Sequence, residues 1–303
     1  MVPIIPHPSV TCRGKFGPLP VMPPISANFL GLMQDQLAYK LFEASLAGAR
    51  ALMSFWCGQT VQTEKLDGSI VSDADHAADA AVRKALSQLS LDAELVSEES
   101  ETHAAAGDGT FLLLDPLDGT DEFLAHGREF CVCLAAIHRG RPVAGAIVAP
   151  ALKRAWYAGA SCYGVDLDDS LAVVDTPAPL HVQNRATSQP YRALVSRRNG
   201  DPRSNAALAR CGVSSLVQAS SAIKFGFLAE GKADILVRHG RTMAWDIAAG
   251  DAILAAAGGS VRGFDGDALT YNGSNDGFGN PPFIAVADDV LVRPVLQAVQ
   301  CTN

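Results

Sequence analysis

The 303-residue chain lacks an excess of basic charge: 24 Lys and Arg stand against 32 Asp and Glu, for a formal net charge of −8. That balance excludes a general nucleic-acid binder, since tracking a phosphate backbone takes a surplus of Lys and Arg. It does not exclude one small anion, because a divalent cation held by a local carboxylate cluster opposes the global charge. Charged residues make up only 18% against 48% apolar ones, which excludes a mostly disordered chain. No apolar run has the length of a membrane span. No basic segment followed by an apolar one opens the chain, as a secretory signal would. Peripheral membrane association is left open, though nothing in the sequence indicates it. Internal repeats are absent. The seven cysteines (Cys12, Cys57, Cys131, Cys133, Cys162, Cys211 and Cys301) are odd in number and scattered, and no pair of CxxC motifs offers a zinc site. A reducing cytoplasm suits them best. Cys131 and Cys133 alternate in an apolar run, so they share one strand face, where they read as two small core residues.

The length suits two domains or one large one. Residues 1–26 hold seven prolines, cannot sustain a helix, and read as a loose tail. Over 27–56, Leu30, Met33, Leu37, Leu41, Ala44, Leu52 and Phe55 recur at helical spacing. A second helix is expected from Ser72 or Asp73, with Ala78, Ala81, Val82, Ala85, Leu86 and Leu89 as its buried stripe. Strands are expected at Glu94–Val96, Phe111–Asp115, Val132–His138, Val143–Val148 and Ala155–Ala158. The polar, Pro-containing stretch 164–190 marks a junction between an N-terminal α+β domain (27–170) and a C-terminal α/β domain (171–303). In the latter, strands at Ala193–Ser196, Ala233–Val237 and Phe283–Ala287 alternate with helices at Ser221–Glu230, Trp245–Ala257 and Val290–Val299. Gly258-Gly259 stops the middle helix. The alternation predicts α/β layering.

The informative feature is where acids meet apolar strands. Asp115-Pro116-Leu117-Asp118-Gly119-Thr120 follows Phe111–Leu114 directly. Pro116 should end the strand, and Gly119 permits a tight turn. Two carboxylates and the Leu117 carbonyl then form a hard-oxygen set suited to Mg²⁺. The alternative, read alone, is a surface turn rich in Asp and Gly. Its spacing is not that of an EF-hand loop. Nor is it the Asp-x-Asp-Gly-Thr of the haloacid-dehalogenase phosphatases, because here the two Asp lie three apart. Glu98 and Glu99 follow another strand and, alone, read as an acidic loop. Asp246 and Asp75 sit in first helical turns, where an acid is ordinarily a cap or a dipole partner.

Taken together and in order, these pieces resemble the lithium-sensitive, Mg²⁺-dependent phosphomonoesterases of the inositol monophosphatase superfamily. The matching residues are Glu98-Glu99-Ser100, the Asp115–Thr120 run with Glu122-Phe123, and Trp245-Asp246-x-Ala248-Ala249. The resemblance covers roughly residues 30 to 290. Within the superfamily the chain looks most like the CysQ-type 3′(2′),5′-bisphosphate nucleotidases, on Gly127-Arg128-Glu129-Phe130, Val195-Ser196-Arg197, and Ser220–Phe225 running on through Ala229-Glu230-Gly231. Two positions depart from the pattern. Ser196-Arg197-Arg198-Asn199 stands where relatives often read Ser-Arg-Ser-His, and Asp121 where CysQ-type proteins often carry Lys.

The resemblance implies an α/β (α+β) fold, a layered αβαβα sandwich. It implies Glu98, Asp115, Asp118 and Asp246 as side-chain ligands of two or three Mg²⁺ ions, with Leu117 through its carbonyl. Asp75 would partner Thr120 to orient the attacking water, with Glu98 also catalytic. Gly119, Thr120, Ser221, Lys224, Arg238 and Asp246 would contact substrate. The charge arithmetic agrees with more than one metal: Asp75, Glu98, Asp115, Asp118 and Asp246 would repel one another if left bare. Two dications leave that cluster at about −1 and three at about +1. The implied reaction is hydrolysis of a small phosphorylated nucleotide, 3′-phosphoadenosine 5′-phosphate, to AMP and phosphate in the cytoplasm. The alternatives are inositol 1-phosphate or histidinol phosphate by the same chemistry, or a catalytically silent metal- or nucleotide-binding regulator. Monomer and homodimer both remain open.

Overall fold

The structure, a computed structural model, describes residues 27–301 apart from Cys57, 59–61, 65–69, Asp92, 101–108, 183–189, 198–199 and 274–275. The expected loose tail, and the departure at Arg198-Asn199, lie outside the described residues. In chain order the first half holds α1 (Ala27–Phe55), β1 (Gln62–Glu64), β2 (Ile70–Ser72), α2 (Asp73–Gln88), β3 (Glu94–Ser97), β4 (Thr110–Asp118), α3 (Thr120–Leu124), β5 (Cys131–His138), β6 (Arg141–Ala149), β7 (Arg154–Ala158), β8 (Cys162–Asp166) and β9 (Ala178–Pro179). The second holds β10 (Tyr191–Ser196), α4 (Pro202–Arg210), β11 (Val213–Ala219), α5 (Ile223–Ala229), β12 (Ile235–Arg238), β13 (Thr242–Met243), α6 (Ala244–Ala257), β14 (Ser260–Gly263), β15 (Gly279–Asn280), β16 (Phe283–Val286) and α7 (Val292–Gln300).

A seven-stranded sheet runs β3-β4-β5-β6-β7-β8-β9, antiparallel except for the parallel β3–β4 pair. A five-stranded sheet runs β11-β10-β12-β16-β14, parallel through its first three strands and antiparallel beyond. Strand periodicity sorts the core into layers. Leu112, Leu114, Val132 and Leu134 face α1 and α2, meeting Leu41, Phe42, Leu52 and Val82. Their alternates Phe111, Leu113, Ala135 and Ile137 face α5, α6 and the inner face of the second sheet. The outer face of that sheet, Ala193, Ile235, Val237 and Ile284, is covered by α4 and α7. The result is the expected αβαβα sandwich.

The helices show their layer in their sequences. Helix α7 has one apolar side, because only one side meets a sheet. Helix α6 is apolar nearly all round, because it lies between two sheets. Its buried Asp251 pairs with Arg141, 3.3 Å away, and accepts the Tyr271 hydroxyl at 3.0 Å.

Several expectations are corrected. Met33, counted in the α1 stripe, is 53% exposed, because burial of the apolar stripe begins farther along, at Leu37 and Ala38. Strands β8 and β9 extend the first sheet into the stretch expected to be a junction. Helix α4 and strand β11 are additional to the expected elements, and most of β11 is exposed at a sheet edge. The α5 helix is shorter than Ser221–Glu230, since Ser221 is left-handed (φ 59°) and cannot start it.

Candidate active site

Pro116 does not end its strand. Strand β4 pairs on through Asp118, with Asp115 opposite Cys133 and Asp118 opposite Cys131. Three steps along β4 match two along β5, so one residue is extra and the Pro116-Leu117 segment forms a bulge. In a regular strand, residues three apart point to opposite faces. The extra residue turns Asp118 onto the face of Asp115, and a bulge is where a sheet tolerates proline. The Leu117 N–H donates to Asp115 Oδ1 at 3.0 Å, which holds the turned chain.

Three other segments meet this strand end. The Glu98 N–H continues the β3–β4 ladder by donating to the Leu114 carbonyl at 3.0 Å, which sets Glu98 beside the acids. Asp246 is the third residue of α6, and its Oδ2 accepts the Met243 N–H at 2.8 Å. The capping role is therefore real, and one oxygen fulfils it. The Ser220–Ala222 loop docks from the second half. Ser221 Oγ donates to the carbonyls of Asp118 (2.9 Å) and Glu129 (3.1 Å), and the Ala222 N–H donates to Asp118 Oδ2. Gly119 makes the docking feasible. Its φ is +96°, and a Cβ there would lie 2.3 Å from Ser221 Oγ.

The acids are mutually destabilised as anions. Burial, then Glu98, Asp118 and Asp246, push the Asp115 carboxyl well above the ordinary carboxylate range. Burial and Asp118 push Asp246 well up likewise. Asp118 is raised by burial but relieved by the Ala222 N–H and by Lys224. Convergent hard-oxygen donors that resist ionising are what a divalent cation stabilises, so these residues fit one.

Glu98, Asp118, Gly119, Thr120, Ser221, Lys224, Arg238 and Asp246 line one cleft of about 420 Å³. Asp115 lies buried behind Asp118. The Leu117 carbonyl accepts the Thr120 hydroxyl at 3.2 Å. Asp75 is buried in the first turn of α2, where its Oδ2 accepts from the Ser72 N–H (2.8 Å) and hydroxyl (2.6 Å). Burial raises its carboxyl. The direct Asp75–Thr120 pairing expected from the resemblance is not made here, because each bonds within its own turn.

Across the cleft stand two cations. Desolvation lowers the Lys224 ammonium to about 8, against the opposing pull of Asp118. Arg238, at the end of β12, donates from Nη1 to Ser196 Oγ at 3.4 Å, while its buried Nε has no partner among the described residues. Sequence reasoning assigned no role to Ser196, Arg197, Ser220 or Thr242, which also line the cleft, nor to Glu129. Glu129 accepts a forked ion pair from Arg197 (2.7 and 3.2 Å) and the Ser220 N–H at 2.8 Å. The motif containing Glu129 was legible, but its contacts reach across the two halves. Asp121, at a position often Lys in CysQ-type proteins, is exposed on the cleft rim.

Comparison with known proteins places the chain in a family. The chain is 34% identical over 221 residues to the 3′(2′),5′-bisphosphate nucleotidase CysQ of Salmonella typhimurium, covering 72% of this chain and 86% of that protein. It is 33% identical over the same length to the protein of that name from Escherichia coli K12. The crystal structure of CysQ from Bacteroides thetaiotaomicron superposes with a TM-score of 0.72 at 28% identity, covering 84% of this chain and 98% of that one. The sequence profile of the inositol monophosphatase family matches residues 33–294, nearly the whole described structure, and the chain belongs to that metal-dependent family.

Proposed function

We propose that the chain is a Mg²⁺-dependent 3′(2′),5′-bisphosphate nucleotidase that hydrolyses 3′-phosphoadenosine 5′-phosphate to AMP and phosphate in the cleft described above. One observation carries this choice of substrate. Lys224 and Arg238, the latter with a buried Nε that has no partner among the described residues, share a cleft with the carboxylate cluster. A monophosphate needs only the metal-holding wall; a second phosphate needs a second, cationic one. The names of the relatives at 33–34% identity support the same reading.

In this reading Glu98, Asp115, Asp118, Asp246 and the Leu117 carbonyl hold two or three ions. When bound, the ions would lower the pKa of water, neutralise the phosphoryl oxygens and stabilise the leaving oxygen. Thr120 and Asp75 orient the attacking water, which requires the Thr120 hydroxyl to turn from the Leu117 carbonyl. Gly119 and Thr120 offer backbone N–H groups to the reacting phosphate. Lys224, Arg238 and Ser221 grip the other phosphate, with Asp246 also facing the substrate. Residues 27–170 thus carry most metal ligands and 171–303 most substrate contacts. A cytoplasmic setting completes the reading. Every cysteine among the described residues is unpaired, and no helix of the described residues is long and apolar enough to cross a membrane.

The test is a phosphate-release panel with Mg²⁺ on 3′-phosphoadenosine 5′-phosphate, inositol 1-phosphate, fructose 1,6-bisphosphate and histidinol phosphate. The expected kcat/KM on the bisphosphate nucleotide exceeds the others by at least about tenfold, or ~1.4 kcal/mol. Equal or faster turnover of inositol 1-phosphate or histidinol phosphate would overturn the substrate assignment.

A further inference from the structure

The acid cluster has an unexpected neighbour. Cys131 and Cys133 alternate on β5 opposite Asp118 and Asp115, so both thiols share the face that carries those carboxylates. Their sulfurs lie 3.7 Å apart, and Cys131 Sγ lies 3.8 Å from Asp118 Oδ2. The two sulfurs and a carboxylate oxygen of Asp118 all fall within 4.8 Å of one another. Both thiols are fully buried, and neither is in a disulfide.

These separations match those between ligands of one tetrahedral ion. With metal–sulfur bonds of about 2.3 Å and a metal–oxygen bond of about 2.0 Å, tetrahedral angles place two sulfurs ~3.8 Å apart and a sulfur and oxygen ~3.5 Å apart. Side-chain adjustments of a few tenths of an ångström close the difference. Mg²⁺ would not choose this corner, since hard ions prefer all-oxygen sets, whereas thiolates select softer ones. An entry route exists as well: Asp118 lines the open cleft, and the thiols lie directly behind it.

We propose that Cys131, Cys133 and Asp118 form a binding site for a thiophilic divalent cation of the Zn²⁺ or Cd²⁺ type, and that occupancy switches the enzyme off. The bound ion displaces the two thiol protons and takes Asp118 Oδ2 as its oxygen ligand. Asp118 is then withdrawn from the Mg²⁺ cluster. The inhibitory half of the proposal rests on the reading of Asp118 as a Mg²⁺ ligand; the binding half stands on the thiol geometry alone.

Cd²⁺ is the probe, because its bonds to thiolates give an ultraviolet charge-transfer band that carboxylate binding does not. The full-length protein in excess Mg²⁺ is titrated with Cd²⁺ while absorbance and phosphate release are followed together. The expected result is a band that saturates in step with loss of activity and is reversed by a chelator. Cys133→Ser, a near-isosteric change at a residue outside the proposed Mg²⁺ and substrate contacts, keeps the Mg²⁺-dependent rate. It loses the matching part of the band and raises the half-inhibitory Cd²⁺ concentration at least about tenfold, the equivalent of ~1.4 kcal/mol. If Cys133→Ser melts early, Cys133→Ala is carried through the same titration. Inhibition at unchanged Cd²⁺ concentration in a folded variant, or inhibition of the wild type without the band, overturns the proposal and assigns Cd²⁺ to the carboxylates alone. Should the wild type release no phosphate from any substrate, the function reading fails, while the band and its loss in the variant still decide the site.

Discussion

The cleft has two walls made in different ways. The acidic wall comes from the strand ends β3 and β4 and the first turn of α6, and its backbone is locked by ladder and cap hydrogen bonds. The cationic wall comes from a loop with a left-handed serine, a short helix and the end of β12, docked from the other sheet. The acidic wall packs half-buried Glu98, Asp118 and Asp246 against buried Asp115, and desolvation with mutual repulsion disfavours their anions. The cationic wall holds a desolvated ammonium and a guanidinium nitrogen with no partner among the described residues. Each wall is unfavourable alone. On the proposed reading the contrast is a division of labour, in which the acidic wall serves chemistry and the cationic wall serves selection.

The largest effect should come from breaking the acidic wall. On the proposed reading, Asp115→Asn or Asp118→Asn removes a ligand charge and should cost several kcal/mol of transition-state stabilisation, at least about 100-fold in kcat. Asp115→Asn should leave the metal-free protein no less stable, because it removes a buried, repelled charge. Steady-state kinetics at saturating Mg²⁺ and thermal melts check both; near-wild-type turnover in either variant would dissolve the distinction between the walls.

Breaking the cationic wall should act on binding. For Lys224→Ala, losing a charge-assisted contact worth about 1.5–3 kcal/mol predicts a KM for 3′-phosphoadenosine 5′-phosphate raised roughly 10- to 150-fold, with kcat little changed. The matched KM for inositol 1-phosphate should stay put. Because the Lys224 ammonium is lowered to about 8, it is charged below that pH and neutral above. The wild-type KM for the bisphosphate should therefore climb above pH ~8, and this limb should vanish in the variant. Equal KM increases on both substrates would place Lys224 on the reacting phosphate instead.

A third measurement compares the walls by stability. Asp115 and Asp246 have folded-state values raised above the unfolded ones. Their contribution to stability is fully present below the unfolded carboxylate value and is lost as pH rises through the raised values. Mg²⁺ should hence raise the melting temperature more at neutral pH than at pH ~5. At 100-fold excess over Kd the gain is about 2.7 kcal/mol, several degrees for a chain of this size. Equal shifts at both pH values would remove the cluster as the binding locus.

The smallest effect should come from the clasp between the walls. Arg197 is substantially exposed and Glu129 mostly buried, so solvent screens their pair. Glu129→Gln should cost no more than about 1 kcal/mol, a KM change below about fivefold. A loss as large as that of Lys224→Ala would mean that the Ser220 contact, not the ion pair, holds the cationic wall in place.

Much of the acidic wall was legible because its parts are local. Apolar runs ending in acids marked the strand ends, and an apolar helix opening on Trp245-Asp246 marked the third acid-bearing segment. What misled was Pro116, read as a terminator: a bulge depends on the neighbouring strand, and nothing in six residues announces it. Asp75 and Thr120 were legible as residues but not as hydrogen-bond partners, because short-range caps and turns compete for the same atoms. The Ser221 conformation was invisible, since no residue type signals a left-handed serine.

The sequence by itself determined the layers, through strand alternation, one-sided outer helices and an α6 apolar on every side, and it determined which carboxylates gather, through local spacing. Only the tertiary structure decided that Asp118 shares a face with Asp115, that Ala222 donates to it, and that Lys224 and Arg238 close the same cleft. The physical reason is range. Periodicity and capping act within a few residues, whereas the cleft joins segments about a hundred residues apart, brought together by the burial of two sheet faces against the central helices.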